Sequence, residues 1–337
     1  MADAQVENKE SAEDFMERFM ASLRLAPPTL SSLEANDAAF AIRAAMKGPG
    51  TNDDELIEQI ADKSDVDMQL IVAAWNAKVK RDLIKDLKHE LSGHYEDVMV
   101  MLVKPIAQVD AEWLHFAMKG HGGIGTNESM LTDVLCTRSP FELRNIADAY
   151  DKLYGVSLVA EIRGEVSGNL ENVYMAVLSS PRDTMPDAAQ DQKDCTQLFD
   201  AGVDKIGTDE AAFIRILAEN PREHVMAVAR LYEQANGKTL VEAIQSETSG
   251  HFQRALVALA KEEYVHHAEQ LHSAMKGLGT NDRKLMHTMV TCRGPLMKRV
   301  ATAFRTLYGK PLENWIEGDT SFKYETALLA ILQQWTC

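Results

Sequence analysis

The chain has 337 residues, 45% of them apolar, with 51 acidic against 35 basic side chains and a net charge of −16. The apolar share can bury a substantial core and the length suggests two or three domains, while the negative balance argues against a nucleic-acid partner, which calls for a basic footprint, and repels an anionic membrane unless something neutralises it. No run of about 18 apolar residues occurs, residues 1–30 lack a signal-peptide core, and Cys136, Cys195, Cys292 and Cys337 form neither a disulfide framework nor a paired metal spacing, so a reduced, cytoplasmic protein is expected.

Residues 1–33 form a head unlike the rest. Within it, Ser11 to Leu25 place Phe15, Phe19 and Leu23 on one helical face with Met16 and Met20 beside them, and Pro27-Pro28 stop the helix. Such a helix either packs back on its own body or binds a partner. From residue 34 the chain repeats four times. The first unit (34–104) carries Ala45-Met46-Lys47-Gly48-Pro49-Gly50-Thr51, and Leu56, Ile57 and Ile60, then Leu83, Ile84, Leu87 and Leu91, fall at helical spacing. The second (105–180) carries Ala117-Met118-Lys119-Gly120 and, after an insertion, Gly123-Ile124-Gly125-Thr126. Pro140 starts a further helix there, and Leu153-Tyr154-Gly155 follow. Pro181 to Gln190, with Pro186, read as a linker. The third unit (191–264) carries Lys205-Ile206-Gly207-Thr208 and a helix start at Pro221. The fourth (265–337) carries Ala274-Met275-Lys276-Gly277-Leu278-Gly279-Thr280 and Leu307-Tyr308-Gly309. Almost nothing alternates with period two, so the expected class is all-α. Each loop threonine, followed by residues such as Asn52-Asp53-Asp54 or Asp209-Glu210, reads as a helix N-cap with acids in the first turn.

The four loops share a second feature. Thirty-nine residues after Thr51, Thr126, Thr208 and Thr280 stand Glu90, Glu165, Glu247 and Asp319. About one residue in eight is acidic in ordinary compositions, so four carboxylates at one spacing mean that loop and acid meet in space. Glycine lets a loop turn its carbonyl oxygens towards one point. Carbonyls plus a carboxylate are hard ligands suited to Ca²⁺ and not to zinc. Two or three carbonyls and one bidentate carboxylate give about four or five donors where Ca²⁺ takes six to eight. Water or a ligand oxygen must finish the shell, and a lipid phosphate would do so. A bound cation would also remove the charge objection to an acidic membrane. Mg²⁺ fits less well, since it wants a tight octahedral shell. Between the glycines lie Pro49, Ile124, Ile206 and Leu278, four apolar loop tips that either touch a membrane interface or pack on their own helices.

Over residues 34–337 these motifs closely resemble the annexins, whose calcium motif is the Met-Lys-Gly-x-Gly-Thr loop with an acid 39 residues after the threonine. The third repeat departs from the loop pattern in the family's own way, with Ala201-Gly202-Val203-Asp204-Lys205 before Ile206. The resemblance implies four repeats of five helices forming a curved disc, with Ca²⁺ sites on its convex face docking on acidic phospholipid. Carried over by motif, the metal ligands would be the carbonyls of Met46, Gly48 and Gly50 with Glu90, those of Gly202, Lys205 and Gly207 with Glu247, and those of Met275, Gly277 and Gly279 with Asp319. In the second repeat Gly123, Gly125 and Glu165 align, and the first carbonyl comes from His121 or is missing. Ser321-Phe322 stand where the other repeats have Ser-Gly, a change that stiffens the acid's loop or fills a gap.

The function implied is reversible, calcium-dependent binding to acidic membranes by a protein that is monomeric in solution, with room for self-association on the bilayer. Annexin heads often carry partner sites, and the giardin branch couples this fold to the cytoskeleton, so a cytoskeletal scaffold with calcium-regulated assembly is the alternative. An enzyme is not expected. His89-Glu90 with His94 misses zinc-protease spacing by one residue. His266, His267 and His272 read as a solvated helix face. No phosphate loop or nucleophile elbow occurs.

Overall fold

The computed structural model describes residues 29–48, 50–120, 125–203 and 209–336. These residues form twenty α-helices and no strand, the expected class. In chain order the helices are α1 (Ser32–Ala45), α2 (Asp53–Ile60), α3 (Asp65–Lys78), α4 (Leu83–Glu90), α5 (Gly93–Leu102), α6 (Ile106–Lys119), α7 (Glu128–Leu135), α8 (Pro140–Tyr154), α9 (Leu158–Glu165) and α10 (Gly168–Ser179). They continue with α11 (Ala188–Val203), α12 (Glu210–Ala218), α13 (Arg222–Asn236), α14 (Leu240–Glu247), α15 (Gly250–Leu259), α16 (Glu263–Met275), α17 (Asp282–Thr291), α18 (Pro295–Tyr308), α19 (Leu312–Asp319) and α20 (Phe322–Thr336). Five helices fall in each repeat. The glycine loop joins the first to the second, and the acid 39 residues beyond the threonine is the last residue of the fourth.

Local chemistry sets these boundaries. Ser31 with Glu34, Ser139 with Glu142 and Thr239 with Glu242 form reciprocal capping boxes at the starts of α1, α8 and α14. Pro140 occupies the first turn of α8, where its missing N–H costs nothing, and Pro221 stands one residue before α13. Gly155 and Gly237, at φ 72° and 64°, end α8 and α13 in the left-handed conformation that a β-carbon would oppose. The linker is shorter than the sequence suggests, because α11 already begins at Ala188.

Two compact units result. Of the described residues, those up to Val103 together with Cys292–Arg299 and those from Thr320 on form one. Its core holds Ile42, Leu56, Ile60, Met68, Ile71, Trp75 and Leu87 with essentially no exposure. Leu56, Ile57 and Ile60, and Leu83, Leu87 and Leu91, are buried as their spacing requires, each contributing about 1.5–3 kcal/mol. A buried carboxylate ties down the first described residues. Asp67 accepts hydrogen bonds from the Thr29 and Leu30 N–H groups (2.8 and 3.0 Å) and from the Thr29 and Ser64 hydroxyls (2.8 Å each). Arg293 donates to the Leu102 carbonyl at 2.7 Å and pairs with Asp65.

The other unit comprises Lys104–Thr291 and Val300–Asp319. One continuous apolar cluster runs through α6–α15, from Ala111 to Ala260. Against it lies a buried polar seam. Asp110 and Arg138 are fully buried and paired twice, Nε to Oδ2 at 2.7 Å and Nη2 to Oδ1 at 3.0 Å. His287 lies 2.8 Å from the same carboxylate and stacks on Trp113 at 4.0 Å. The paired cation and His287 hold Asp110 well below the ordinary carboxylate range despite its burial, whereas burial lowers His287. A second group joins Asp133 to His266 (3.1 Å), Arg254 (3.5 Å) and Lys284 (3.7 Å). The reading of His266, His267 and His272 as a solvated face is therefore wrong. His266 and His267 are buried at 4% and 3% exposure in the seam, and His272 stacks on Tyr308 at 3.7 Å. A polar stripe marks solvent only when no neighbouring helix brings matching charge, and here α7 and α15 do.

Candidate calcium sites

Each site begins with a loop whose two ends are pinned together. The residue after the threonine donates its N–H to an alanine carbonyl at or near the end of the preceding helix. These bonds are Asn52 to Ala45 (2.9 Å), Asn127 to Ala117 (2.8 Å), Asp209 to Ala201 (3.1 Å) and Asn281 to Ala274 (2.8 Å). The same closure spans seven residues in the first and fourth repeats, eight in the third and ten in the second. The insertion thus lengthens the loop without moving its ends.

The cap is not the threonine. Asn52, Asn127, Asp209 and Asn281 accept from the N–H three residues on, at 3.4, 3.1, 3.2 and 3.1 Å. The threonine stands one residue earlier, and in repeats two and four its hydroxyl reaches across the fold. Thr126 Oγ1 donates to Glu165 Oε2 at 2.6 Å, and Thr280 Oγ1 to Asp319 Oδ2 at 2.9 Å. In the third repeat Glu247 lies against the loop at Gly202, where an added Cβ would come within 3.2 Å of the Glu247 Cγ. The 39-residue spacing thus brings acid and loop together in repeats two, three and four. In the first repeat Thr51 makes no hydrogen bond to Glu90 among the described residues, and Glu90 lies 3.3 Å from His89 Nδ1.

The glycines carry the conformation the loop needs. Gly48 and Gly50 have φ of 108° and 90°, Gly277 and Gly279 of 133° and 85°, and Gly125 of 75°. Nothing would touch an added Cβ at these positions, so backbone angle and not space requires glycine there. Met46 ends α1 as its C-cap, and Met275 is the last residue of α16. Gly202 lies in the last turn of α11. Gly123, Lys205 and Gly207, the tips Pro49, Ile124 and Ile206, His121 and the head helix lie outside the described residues. The fourth tip, Leu278, is fully exposed.

The donor set fits a hard cation. Among the described residues no three His, Cys, Asp or Glu side chains converge as a metal cluster. A cation here must take most of its ligands from backbone oxygen, with one carboxylate per loop. The second site holds a competitor. Lys119, from the Met-Lys-Gly motif, lies 2.9 Å from Glu161 and 3.1 Å from Glu165. The Thr126 hydroxyl first, and then Lys119, holds Glu165 below its ordinary value. This lysine is part of the motif, yet nothing in the spacing shows that it reaches the acid.

A helical chain of four repeats, each with a pinned loop and in three of which a distant carboxylate meets that loop, has the build of a repeat protein that takes divalent cations on backbone oxygen. A family model described as Annexin matches residues 36–102, 109–177, 193–259 and 266–331. Annexin A4 of Homo sapiens is 38% identical over 306 residues, covering 89% of this chain and 95% of the relative. The solved structure of calcium-bound annexin (Sm)1 superimposes with a TM-score of 0.82 at 28% identity, covering 92% of each chain. Calcium-bound alpha-14 giardin, at 21% identity and TM-score 0.73 over 89% of this chain and 98% of that one, shares the fold alone. The chain belongs to the annexin family, whose members are generally calcium-dependent phospholipid-binding proteins and not enzymes. No described helix is long and apolar enough to cross a membrane.

Proposed function

We propose that this annexin is a cytoplasmic protein that Ca²⁺ recruits reversibly to acidic phospholipid. The ion bridges loop carbonyls and one acid of each repeat to a lipid phosphate. The ligand sets are Met46, Gly48 and Gly50 with Glu90, then Gly123 and Gly125 with Glu165. Gly202, Lys205 and Gly207 serve with Glu247, and Met275, Gly277 and Gly279 with Asp319. The observation that carries this reading is the recurring approach of carboxylate to loop, seen at Thr126–Glu165, Gly202–Glu247 and Thr280–Asp319. Four or five protein donors leave open positions on the ion, and a phosphate oxygen fills them. In a protein of net charge −16 the ions also cancel the repulsion between its acids and the lipid.

The test is pelleting with phosphatidylserine vesicles across a calcium titration, with a magnesium control and chelator reversal. Binding should need calcium and reverse on chelation. A variant carrying Glu90→Gln, Glu247→Gln and Asp319→Asn should fold normally and need more calcium. Parental calcium dependence in that variant would sink the proposal.

A further inference from the structure

The last helix of every repeat opens in the left-handed region. Gly93, Gly168 and Gly250 stand there at φ 63°, 67° and 66°. The fourth repeat places Phe322 at the equivalent position, at φ 57°. Glycine takes this conformation freely, but a bulky side chain is strained in it, because its Cβ crowds the adjoining peptide. Strain of this kind persists when burial compensates for it. Phe322 has no such compensation, since it is 89% exposed. Among the described residues only Lys80, Arg182 and Phe322 combine a side chain with positive φ, and Phe322 alone of them is apolar. Other exposed apolar residues, such as Leu33, Phe40 and Leu307, lie inside helices with ordinary backbone. The fold therefore bears a strained, water-exposed aromatic ring where three sister repeats have none, and such outliers point to a function outside the fold.

The location of the ring suggests what it meets. The next residue, Lys323, pairs with Asp54 at 2.5 Å, in the first turn of α2 just after the first glycine loop. In the other direction Phe322 follows Asp319 by three residues, so chain length alone keeps it within about 10 Å of that acid. It thus stands three residues along the chain from one candidate calcium ligand, and the residue beside it is paired with the turn that follows the first glycine loop. We propose that Phe322 is a membrane-contacting side chain, its ring entering the interfacial region of the lipid surface that the fourth repeat engages. The proposal rests on the calcium-dependent membrane reading and adds to it a hydrophobic contact made from the acid's loop instead of the glycine loop. An aromatic ring suits that layer, being apolar enough to leave water and compact enough to sit among headgroups.

The test replaces the ring with residues that accept the left-handed conformation, Phe322→Asn and Phe322→Gly, and adds Phe322→Trp as a reporter. Vesicles are 3:1 phosphatidylcholine to phosphatidylserine at fixed calcium. The Asn and Gly variants should melt no lower than the parent and lose about tenfold in vesicle affinity, the scale expected when one aromatic side chain fails to leave water. The Trp variant should bind like the parent, and its emission, taken as the difference from the parent's, should move to the blue on adding vesicles with calcium and return on chelation. Parental affinity in both Asn and Gly variants, or an unshifted Trp variant that still pellets, would overturn the proposal and leave membrane binding intact. A lowered melting temperature in both Asn and Gly variants would show that the ring serves the fold, and would overturn the proposal equally. A parent that fails to pellet at any calcium concentration would overturn both readings.

Discussion

Asp110→Asn is the sharpest test of the polar seam. The substitution keeps shape and one acceptor oxygen but removes the charge opposite Arg138. In the parent that guanidinium is fully buried and holds the carboxylate at 2.7 and 3.0 Å, with His287 at 2.8 Å. Removing one member of a buried pair leaves the other charge uncompensated, which costs about 3–5 kcal/mol. The unit holding the seam has on the order of 200 residues, a size at which 1 kcal/mol moves the melting temperature by about 2–4 °C. Scanning calorimetry should therefore find the main transition roughly 6–20 °C lower. Arg138→Met should cost a similar amount, and the double variant less than the sum of the two. The loss should also depend on pH with a defined sign. The pair holds the folded-state pKa of Asp110 below its unfolded value of about 4, so its contribution is complete above that value and fades as pH falls below it. The part of the gap between parent and Asp110→Asn that comes from the carboxylate's own titration should then be complete above about pH 5 and narrow under about pH 4. A drop of less than about 1 kcal/mol at neutral pH would refute the reasoning, because it would mean the guanidinium finds other partners.

Burial lowers His287, although Asp110 opposes this, with Arg138 and Asp133 also facing it. The unfolded chain therefore binds a proton near pH 6.5 that the folded chain resists. Stability should fall as pH drops through that value, and in His287→Gln this slope, followed by thermal melts, should flatten. Thr280→Val removes the hydroxyl that holds Asp319 against its loop, and should raise the calcium needed for half-maximal vesicle binding by about two- to fivefold with the fold unchanged. Lys119→Met removes the cation bonded to Glu165. Partly exposed pairs of this kind are worth at most about 1 kcal/mol, so isothermal titration should find calcium binding at the second site tighter by up to about fivefold. Gly277→Ala forces a β-carbon onto φ 133°, and should raise the calcium requirement of the fourth site without lowering the melting temperature by more than about 6 °C.

Much of this molecule is legible in its sequence. The four loops, the acids 39 residues on, and the apolar spacing at Leu56-Ile57-Ile60 are local or periodic signals, and they report directly on helix, turn and repeat. The spacing counts from the threonine, and Thr126 and Thr280 do reach the acids it points to. What fails are assignments that turn on a side chain's direction. Thr51, Thr126 and Thr280 read as caps because they precede helices, yet the cap is one residue later at Asn52, Asn127 and Asn281. A shift of one residue along a helix start rotates the side chain by about 100°, which no composition rule resolves. His266 and His267 read as solvent-facing because nothing near them in sequence accounts for burial. Their environment comes from α7 and the turn after it, more than 120 residues earlier, where Asp133 lies 3.1 Å from His266 and Arg138 reaches His267 at 3.4 Å. Phe322 stands out in the sequence as a departure from Ser-Gly, but its left-handed backbone and exposed ring belong to the folded chain. The sequence by itself determined the helices and the repeat, because these depend on residues near one another or on a fixed spacing. Tertiary structure alone decided which charges are buried together and which lysine guards an acid, because those energies arise only when distant helices bring their side chains into a medium from which water is excluded.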